Sequence, residues 1–307
     1  MIRLIAIVGW VALAGAAQAQ PQSQSQSAPS PQAATPAQGA PAPPAGRAQV
    51  QAKTTAEYQA YQAAIANANN PEAMEKAADD FAAKFPDSEL RVLLLRAAMN
   101  SYQSAGNSLK MMDIGMKVLA IDKDDPEALI GVAEVLEEHT SPTDLDKEQR
   151  YEQAIGYAQH ALDTVDSDLA VPAGTPAEKV EGYKKYLRST ALVIIGTVQY
   201  KREQYADAEA NLQKAIETDS ANPDPVVILR LTLALDQQKK YPEALQEANR
   251  AVQLTQETTE VGKTARSERD RLVTMTAGAV PGSTPPPSTT PPAVIPTEPR
   301  RSTSPNH

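Results

Sequence analysis

The chain has 307 residues, no cysteine and a formal net charge of −9. The lack of cysteine excludes disulfide-bonded scaffolds, cysteine-ligated metal sites and thiol enzymes. The acidic balance argues against general nucleic-acid binding, which needs lysine and arginine to neutralise phosphates. Seven of the 25 prolines fall in residues 20–46 and nine in residues 279–307, so we expect the globular part between about residues 50 and 277.

The first 19 residues have the features of a cleavable signal peptide. Arg3 supplies a positive start, residues 4–17 are apolar, and Ala17-Gln18-Ala19 is a small-x-small cleavage site. An uncleaved anchor is the alternative, but the apolar stretch is shorter than the about 20 residues of a spanning helix. We therefore expect a periplasmic or secreted protein that begins at Gln20, with no integral membrane span.

Both ends of the mature chain have compositions that cannot form a core. Residues 20–46 contain only Gln, Pro, Ser, Ala, Thr and Gly, which bury too little surface to offset the entropy of ordering. We predict a disordered linker over residues 20–50 and a disordered Pro/Thr/Ser tail over residues 278–307.

Between these ends the pattern is helical throughout. No alternating β-branched runs occur, and most remaining prolines lie at candidate helix junctions. Asp125-Pro126 and Asp224-Pro225 place a capping acid before a first-turn proline. The segments beginning at Thr54 and Thr175 have capping-box spacing, so the sequence predicts an all-α fold.

One spacing of residues recurs along the chain. Tyr205-x-x-Ala208-x-x-x-Leu212-x-x-Ala215 is the clearest copy; the same spacing starts at Tyr241 and Tyr151, and weaker copies start at Ser108 and Pro71. A second amphipathic stripe precedes each copy. The sequence therefore predicts five helix pairs and a cap helix, at about residues 55–88, 89–125, 126–166, 176–222, 223–256 and 257–277.

Small residues stand at fixed places in these stripes, where a larger side chain would separate two helix axes beyond about 8–10 Å. We predict that they pack at close helix crossings. They are Ala133, Ala154, Ala161, Gly196, Ala208, Ala215, Ala244 and Ala251.

These motifs resemble the tetratricopeptide repeat, a helix-turn-helix unit of about 34 residues. The resemblance covers about residues 55–258 and implies an α-solenoid of about five repeats plus a C-terminal cap helix. The 54 residues from Tyr151 to Tyr205 exceed the period by about 20. We expect the excess in residues 166–185, as a loop and an N-terminal extension of the next first helix.

Motifs of catalysis are not found in the sequence. It contains no GxSxG, P-loop or HExxH segment, and the isolated His139 and His160 offer no nucleophile-base pair. Acidic residues surround His139, so a cation site is conceivable, but an acidic solvated loop is the better interpretation. We expect no enzyme activity, no cofactor and no metal.

The resemblance implies that a protein or peptide partner binds in the concave groove lined by the first helices. That groove is polar to acidic in its N-terminal half and apolar in repeats four and five. For Leu229 and Leu233 the alternative to partner contact is a position in the core. For the basic cluster of Lys184, Lys185 and Arg188 the alternative to partner contact is a solvated helix face. The residues expected to contact a partner are Arg96, Asn100, Glu134, Glu137, Val193, Thr197, Tyr200, Leu229 and Leu233.

The sequence as a whole favours a non-enzymatic scaffold or adaptor of the cell envelope or secreted space. The expected partner is a peptide with an apolar anchor and a basic flank, which would complement the two halves of the groove. Two alternatives stay open. One is a structural tether or self-associating array joined to wall or membrane components by its Pro-rich ends, and the other is an enzyme with an unrecognised site.

Overall fold

The computed structural model describes residues 47–278, and the predicted signal peptide, most of the predicted linker and the tail lie outside this range. No β-strand occurs within it, where the only extended pairing is an isolated bridge, so the all-α prediction is confirmed. The eleven helices of this range are α1 (Thr55–Ile65), α2 (Pro71–Lys84), α3 (Leu90–Ser104), α4 (Ser108–Ile121), α5 (Pro126–His139), α6 (Lys147–Thr164), α7 (Ala177–Lys201), α8 (Tyr205–Thr218), α9 (Pro225–Gln237), α10 (Tyr241–Gln253) and α11 (Glu260–Gly278).

The helices form five antiparallel pairs in a single file. Each odd-numbered helix from α1 to α9 packs on the even-numbered helix that follows it, and each also contacts the next odd-numbered helix. Even-numbered helices contact only odd-numbered ones within the described range. This connectivity is that of a tetratricopeptide-like α-solenoid, as predicted, with α11 packed on α9 and α10 as the cap. We call α1, α3, α5, α7 and α9 the first helices, and their shared outer surface the first-helix face.

The turn between the two helices of a pair recurs in repeats two, four and five. In each, one residue takes a left-handed backbone conformation: Gly106 at φ 71°, Glu203 at φ 62° and Lys239 at φ 61°. The next residue then donates its backbone N–H to a carbonyl five residues earlier, at 2.9–3.0 Å. Equal turns at equivalent places support the division into repeats, because each turn aims its second helix in the same direction.

These turns lead to a prediction of stability. Lys239→Gly is expected to raise the free energy of unfolding by about 0.5–1 kcal/mol, because glycine adopts the left-handed conformation without a Cβ penalty. Gly106→Ala should lower it by about 1 kcal/mol, although a Cβ there meets no atom within 4 Å. Chemical denaturation of both variants tests this, and Gly174→Ala in the long loop, also at positive φ, should resemble Gly106→Ala. If Lys239→Gly, Gly106→Ala and Gly174→Ala all had the stability of the parent chain, the left-handed turns would carry no strain.

Helix starts follow the predicted capping with one exception. The side chains of Thr54, Asp125 and Asp224 accept backbone N–H groups at 3.1, 2.9 and 2.8 Å at the starts of α1, α5 and α9. Thr175 does not cap α7: that helix begins after Pro176, and the Thr175 hydroxyl donates to the Pro172 carbonyl at 2.6 Å. The expected capping box is absent there because the preceding loop takes the hydroxyl.

All eight predicted packing residues lie in the interior. Gly196 shows why small size matters, since a Cβ on it would lie 2.8 Å from Leu212 Cγ and 3.2 Å from the Ala208 carbonyl oxygen. The interior is continuous across the long insertion, because Leu129 of α5 shares a buried cluster with Leu187 and Ile195 of α7. The insertion therefore does not separate repeats three and four.

The insertion itself consists of a loop over residues 165–176 and a lengthened α7 of 25 residues, as expected. One boundary of the sequence prediction is wrong. Residues 47–50 fall in the predicted disordered linker, yet Val50 is 2% exposed and pairs with Pro172 in a parallel bridge. The loop supplies backbone partners and an apolar contact for Val50, which the linker's own composition could not reveal.

Candidate functional site

The N-terminal half of the first-helix face is held by internal contacts. Arg96 of α3 is 7% exposed and forms an ion pair with Glu127 of α5 and one with Asp125 at 3.5 Å. Its Nη1 also donates to the Ala170 carbonyl at 2.6 Å, so the insertion loop sits against this arginine. Asn100 donates to the second oxygen of Glu127 at 2.7 Å.

The predicted contact residues Arg96 and Asn100 are thus brought together, but they serve the chain's own structure. Glu127 and the Ala170 carbonyl were missed in the sequence, since neither belongs to the repeat motif. The only signal was the length of the insertion, which has to pack somewhere. Burial raises the pKa of Asp125, whose side chain is fully buried beside Arg96.

Further along the face, an acidic group lies on α5. Glu137 is buried and pairs with Lys201 of α7 at 2.6 Å. Glu134, one turn earlier, accepts a hydrogen bond from Gln103 at 3.1 Å and has no cation of the described chain within 4 Å. Burial raises the pKa of Glu134 to about 7, and the like charges of Glu138 and Glu137 add to the rise.

A basic group faces these carboxylates from α9. Arg230 lowers the pKa of both Glu134 and Glu138 by its charge, yet it forms no ion pair within 4 Å among residues 47–278. Its buried Nε has no hydrogen-bond partner there either. Tyr186 of α7, 39% exposed, lies near Glu134 and stacks on Tyr183 with ring centroids 6.1 Å apart. Carboxylates and Arg230 therefore share this part of the face without forming an ion pair, and an aromatic ring lies beside them.

The apolar half of the expected groove is different from the prediction. Leu229 is 0% and Leu233 2% exposed, so the core alternative holds for both and neither is available to a partner. Thr197 is also buried, and its hydroxyl donates to the Val193 carbonyl at 2.7 Å. Sequence periodicity could not separate face from core here, because α9 is apolar on most of its circumference.

Val193 and Tyr200 remain partly accessible on α7. The Tyr200 ring meets the Tyr205 ring edge-on at 5.4 Å between centroids, and burial raises its pKa to about 12. Of the nine predicted contact residues, the structure therefore leaves Asn100, Glu134, Val193 and Tyr200 with solvent access. A partner on this face would meet mainly polar and aromatic groups rather than an apolar anchor pocket.

The remaining candidates have structural partners. Lys184 and Arg188 pair with Asp166 in the insertion, Lys184 at 3.7 Å, which ties α7 to its preceding loop. His139 Nε2 lies 2.6 Å from Ser108 Oγ and His160 Nε2 lies 2.8 Å from Asp124.

Within residues 47–278 no three His, Asp or Glu side chains are placed to hold a metal ion. No helix in that range is long and apolar enough to cross a membrane.

The raised pKa of Glu134 makes a prediction about pH. The folded chain holds this proton more tightly than the unfolded chain, with pKa about 7 against 4.5. The native state therefore loses stability as pH rises from 4.5 to 7. Glu134→Gln should be more stable than the parent chain by about 1–2 kcal/mol at pH 8 and equal to it near pH 4.5. Thermal melts across this range measure the difference; Glu217→Gln, on the exposed side of α8, should give no difference at either pH.

No protein-family model and no curated protein sequence matches the chain. Among solved structures it is similar to a thermophilic tetratricopeptide repeat protein of Thermus thermophilus, with 14% identity over 72% of this chain and 99% of the other, and a TM-score of 0.41. It is also similar to a tetratricopeptide repeat protein of Parabacteroides merdae, with 12% identity over 71% of this chain and 90% of the other, and a TM-score of 0.35. The solenoid description rests on the chain's own helix order and packing.

Proposed function

We propose that this chain is an exported, non-enzymatic scaffold that binds a segment of another protein on the first-helix face of repeats three to five. Export rests on the signal-peptide features of residues 1–19 and implies a periplasmic or secreted location. Binding at this face is supported by Glu134, a partly exposed carboxylate with no cation of residues 47–278 within 4 Å. Carboxylates with a raised pKa cluster at functional sites.

The charges of this face determine which groups of a partner segment would bind there. Glu134 and Glu138 would pair with a lysine or arginine, and Arg230 would donate hydrogen bonds to a carboxylate or a main-chain carbonyl. Tyr186 supplies a flat, partly exposed ring for an apolar or cationic side chain. The basic flank expected from the sequence stays in the proposal, whereas the apolar anchor loses its pocket because Leu229 and Leu233 are buried.

Site-specific photo-crosslinking in the native host tests this face. A photoreactive residue at position 138 should form a discrete adduct that mass spectrometry identifies, and one at position 217 on the exposed side of α8 should not. Glu134→Lys together with Glu138→Lys should then weaken binding of the identified partner at least about tenfold at low salt. Glu217→Lys is the matched charge change. Equal adducts at both positions, or equal loss with both changes, would contradict binding at this face.

The structural alternative has one observation in its favour. Leu109 and Met116 of α4 are 61% and 45% exposed, and they lie two helical turns apart on the same side of the helix. Such a stripe can pair with a second copy of the chain. Light scattering across a concentration series distinguishes the two: a dimer that Met116→Lys abolishes would favour self-association over the proposed scaffold.

A further inference from the structure

Residues 47–50, Arg-Ala-Gln-Val, lie along the insertion loop as an extended segment; we call them the N-terminal segment. The backbone N–H of Arg47 donates to the Ser167 carbonyl at 2.8 Å. The N–H of Val50 donates to the Val171 carbonyl at 2.9 Å, and the Val50 carbonyl accepts the N–H of Ala173 at 2.8 Å. Three main-chain hydrogen bonds over four residues resemble those by which a sheet edge binds an extended peptide.

Three of the four side chains are recognised separately. The Arg47 guanidinium pairs with the Asp122 carboxylate at the end of α4. The Gln49 amide is held at both ends, because its Nε2 donates to the Thr175 carbonyl and its Oε1 accepts the Gly174 N–H, each at 2.8 Å. The Val50 side chain is 2% exposed in an apolar cluster with Ala170.

Ala48 is exposed and has no such contact, so it gives the pattern a variable position. One surface thus contacts a cation, an amide and a β-branched residue in chain order, and it leaves the position after the cation free. All of that surface, comprising Asp122 and residues 167–175, belongs to the repeat body. We call it the segment slot.

We propose that the segment slot is a recognition site for an extended protein segment of the pattern Arg-x-Gln-Val, occupied in the free chain by its own N-terminal segment. A partner carrying the same pattern binds by displacing that segment. The slot shares no residue with the face around Glu134 and Arg230, so this proposal does not depend on the proposed function.

Displacement is possible because the N-terminal segment precedes α1 and belongs to no helix. Residues 51–54 lead from it to α1 without helical or strand structure, so the segment can leave while α1 stays packed. A tethered segment competes at an effective concentration near millimolar, which lowers the apparent affinity for a partner without closing the slot.

A labelled peptide with the sequence of residues 45–53 tests the slot by fluorescence anisotropy. The receiving protein is the full chain with Arg47→Ala and Gln49→Ala. These changes weaken the binding of its own N-terminal segment and leave the slot intact. This double variant is expected to bind the peptide at least about tenfold more tightly than the parent chain, because the internal competitor is weakened. Circular dichroism should show that the double variant is a folded helical protein. Val50→Ala is a second variant expected to release the N-terminal segment, and we call the two the releasing variants.

Peptide variants provide the matched controls. Alanine at the positions of Arg47, Gln49 or Val50 should each weaken binding at least about fivefold, and Ala48→Ser should leave it unchanged. Asp122→Asn in the receiving protein should remove the preference for arginine over alanine. No binding to either releasing variant, or binding that ignores these changes, overturns the proposal. A parent-chain dimer that the double variant abolishes would also overturn it, because the slot would then take the segment of a second copy.

Discussion

Replacing Arg96 with methionine is expected to lower the free energy of unfolding by about 3–5 kcal/mol, because it leaves buried carboxylates without their cation. The Arg96 side chain is 8% exposed, and its carboxylate partners Asp125 and Glu127 are 0% and 7% exposed. Methionine fills a similar volume, so the loss comes from two buried carboxylates left without their cation. The Ala170 carbonyl would lose its donor as well.

Chemical denaturation measures the effect, with Arg91→Met on the same helix as control. Arg91 is partly exposed and its Nε donates to the Ser88 carbonyl at 3.0 Å, so its loss should cost under about 1 kcal/mol. Glu127→Gln in the Arg96→Met chain should restore part of the stability, because it removes one uncompensated charge. Equal effects of Arg91→Met and Arg96→Met would mean that the buried ion pairs do not hold the insertion against α3 and α5.

Replacing Gly196 with valine is expected to destabilise the chain by about 1–3 kcal/mol through overpacking. Its Cβ alone would lie 2.8 Å from Leu212 Cγ and 3.2 Å from the backbone oxygen of Ala208. Both neighbours belong to α8, so α7 and α8 would have to move apart. Ala208→Leu adds bulk to the same crossing from the other side and should have a similar effect.

Gly182→Val is the matched control, since Gly182 lies in the same helix and a Cβ there meets nothing within 4 Å. Valine has a better helix propensity than glycine, so this change should be neutral or stabilising by up to about 0.5 kcal/mol. Ala210→Leu, on the exposed side of α8, is the control for Ala208→Leu. Thermal melts that show equal losses at Gly196 and Gly182 would contradict the close crossing of α7 and α8.

Much of the fold could be predicted from local residue patterns. Alanine spacing in the second helices, together with Pro126 and Pro225 behind capping acids, predicted the helix pairs and where they begin. A pattern of this kind works because it reflects contacts within one repeat, where the partners are about 30 residues apart or fewer. It also predicted the position of the extra residues, although not what they touch.

The candidate site was less predictable. Periodicity assigns a residue to one side of a helix, but it cannot say whether another part of the chain covers that side. Leu229 and Leu233 were expected at the groove and are core residues, whereas Glu134 was expected there and retains solvent access. Glu138 and Arg230 belong to the site only because the fold brings α9 close enough to α5 for the charge of Arg230 to lower the pKa of Glu134 and Glu138.

The sequence by itself thus determined the helical class, the number of repeats and the small residues at their crossings, because these depend on composition and on short-range period. Only the tertiary structure decided that residues 47–50 are ordered, that Arg96 holds the insertion loop, and which first-helix residues reach solvent. Each of these depends on contacts between residues that are far apart in the chain: 121 positions separate Val50 from Val171, and 74 separate Arg96 from Ala170. No local pattern encodes such a pairing, because burial and hydrogen bonding are properties of the assembled chain.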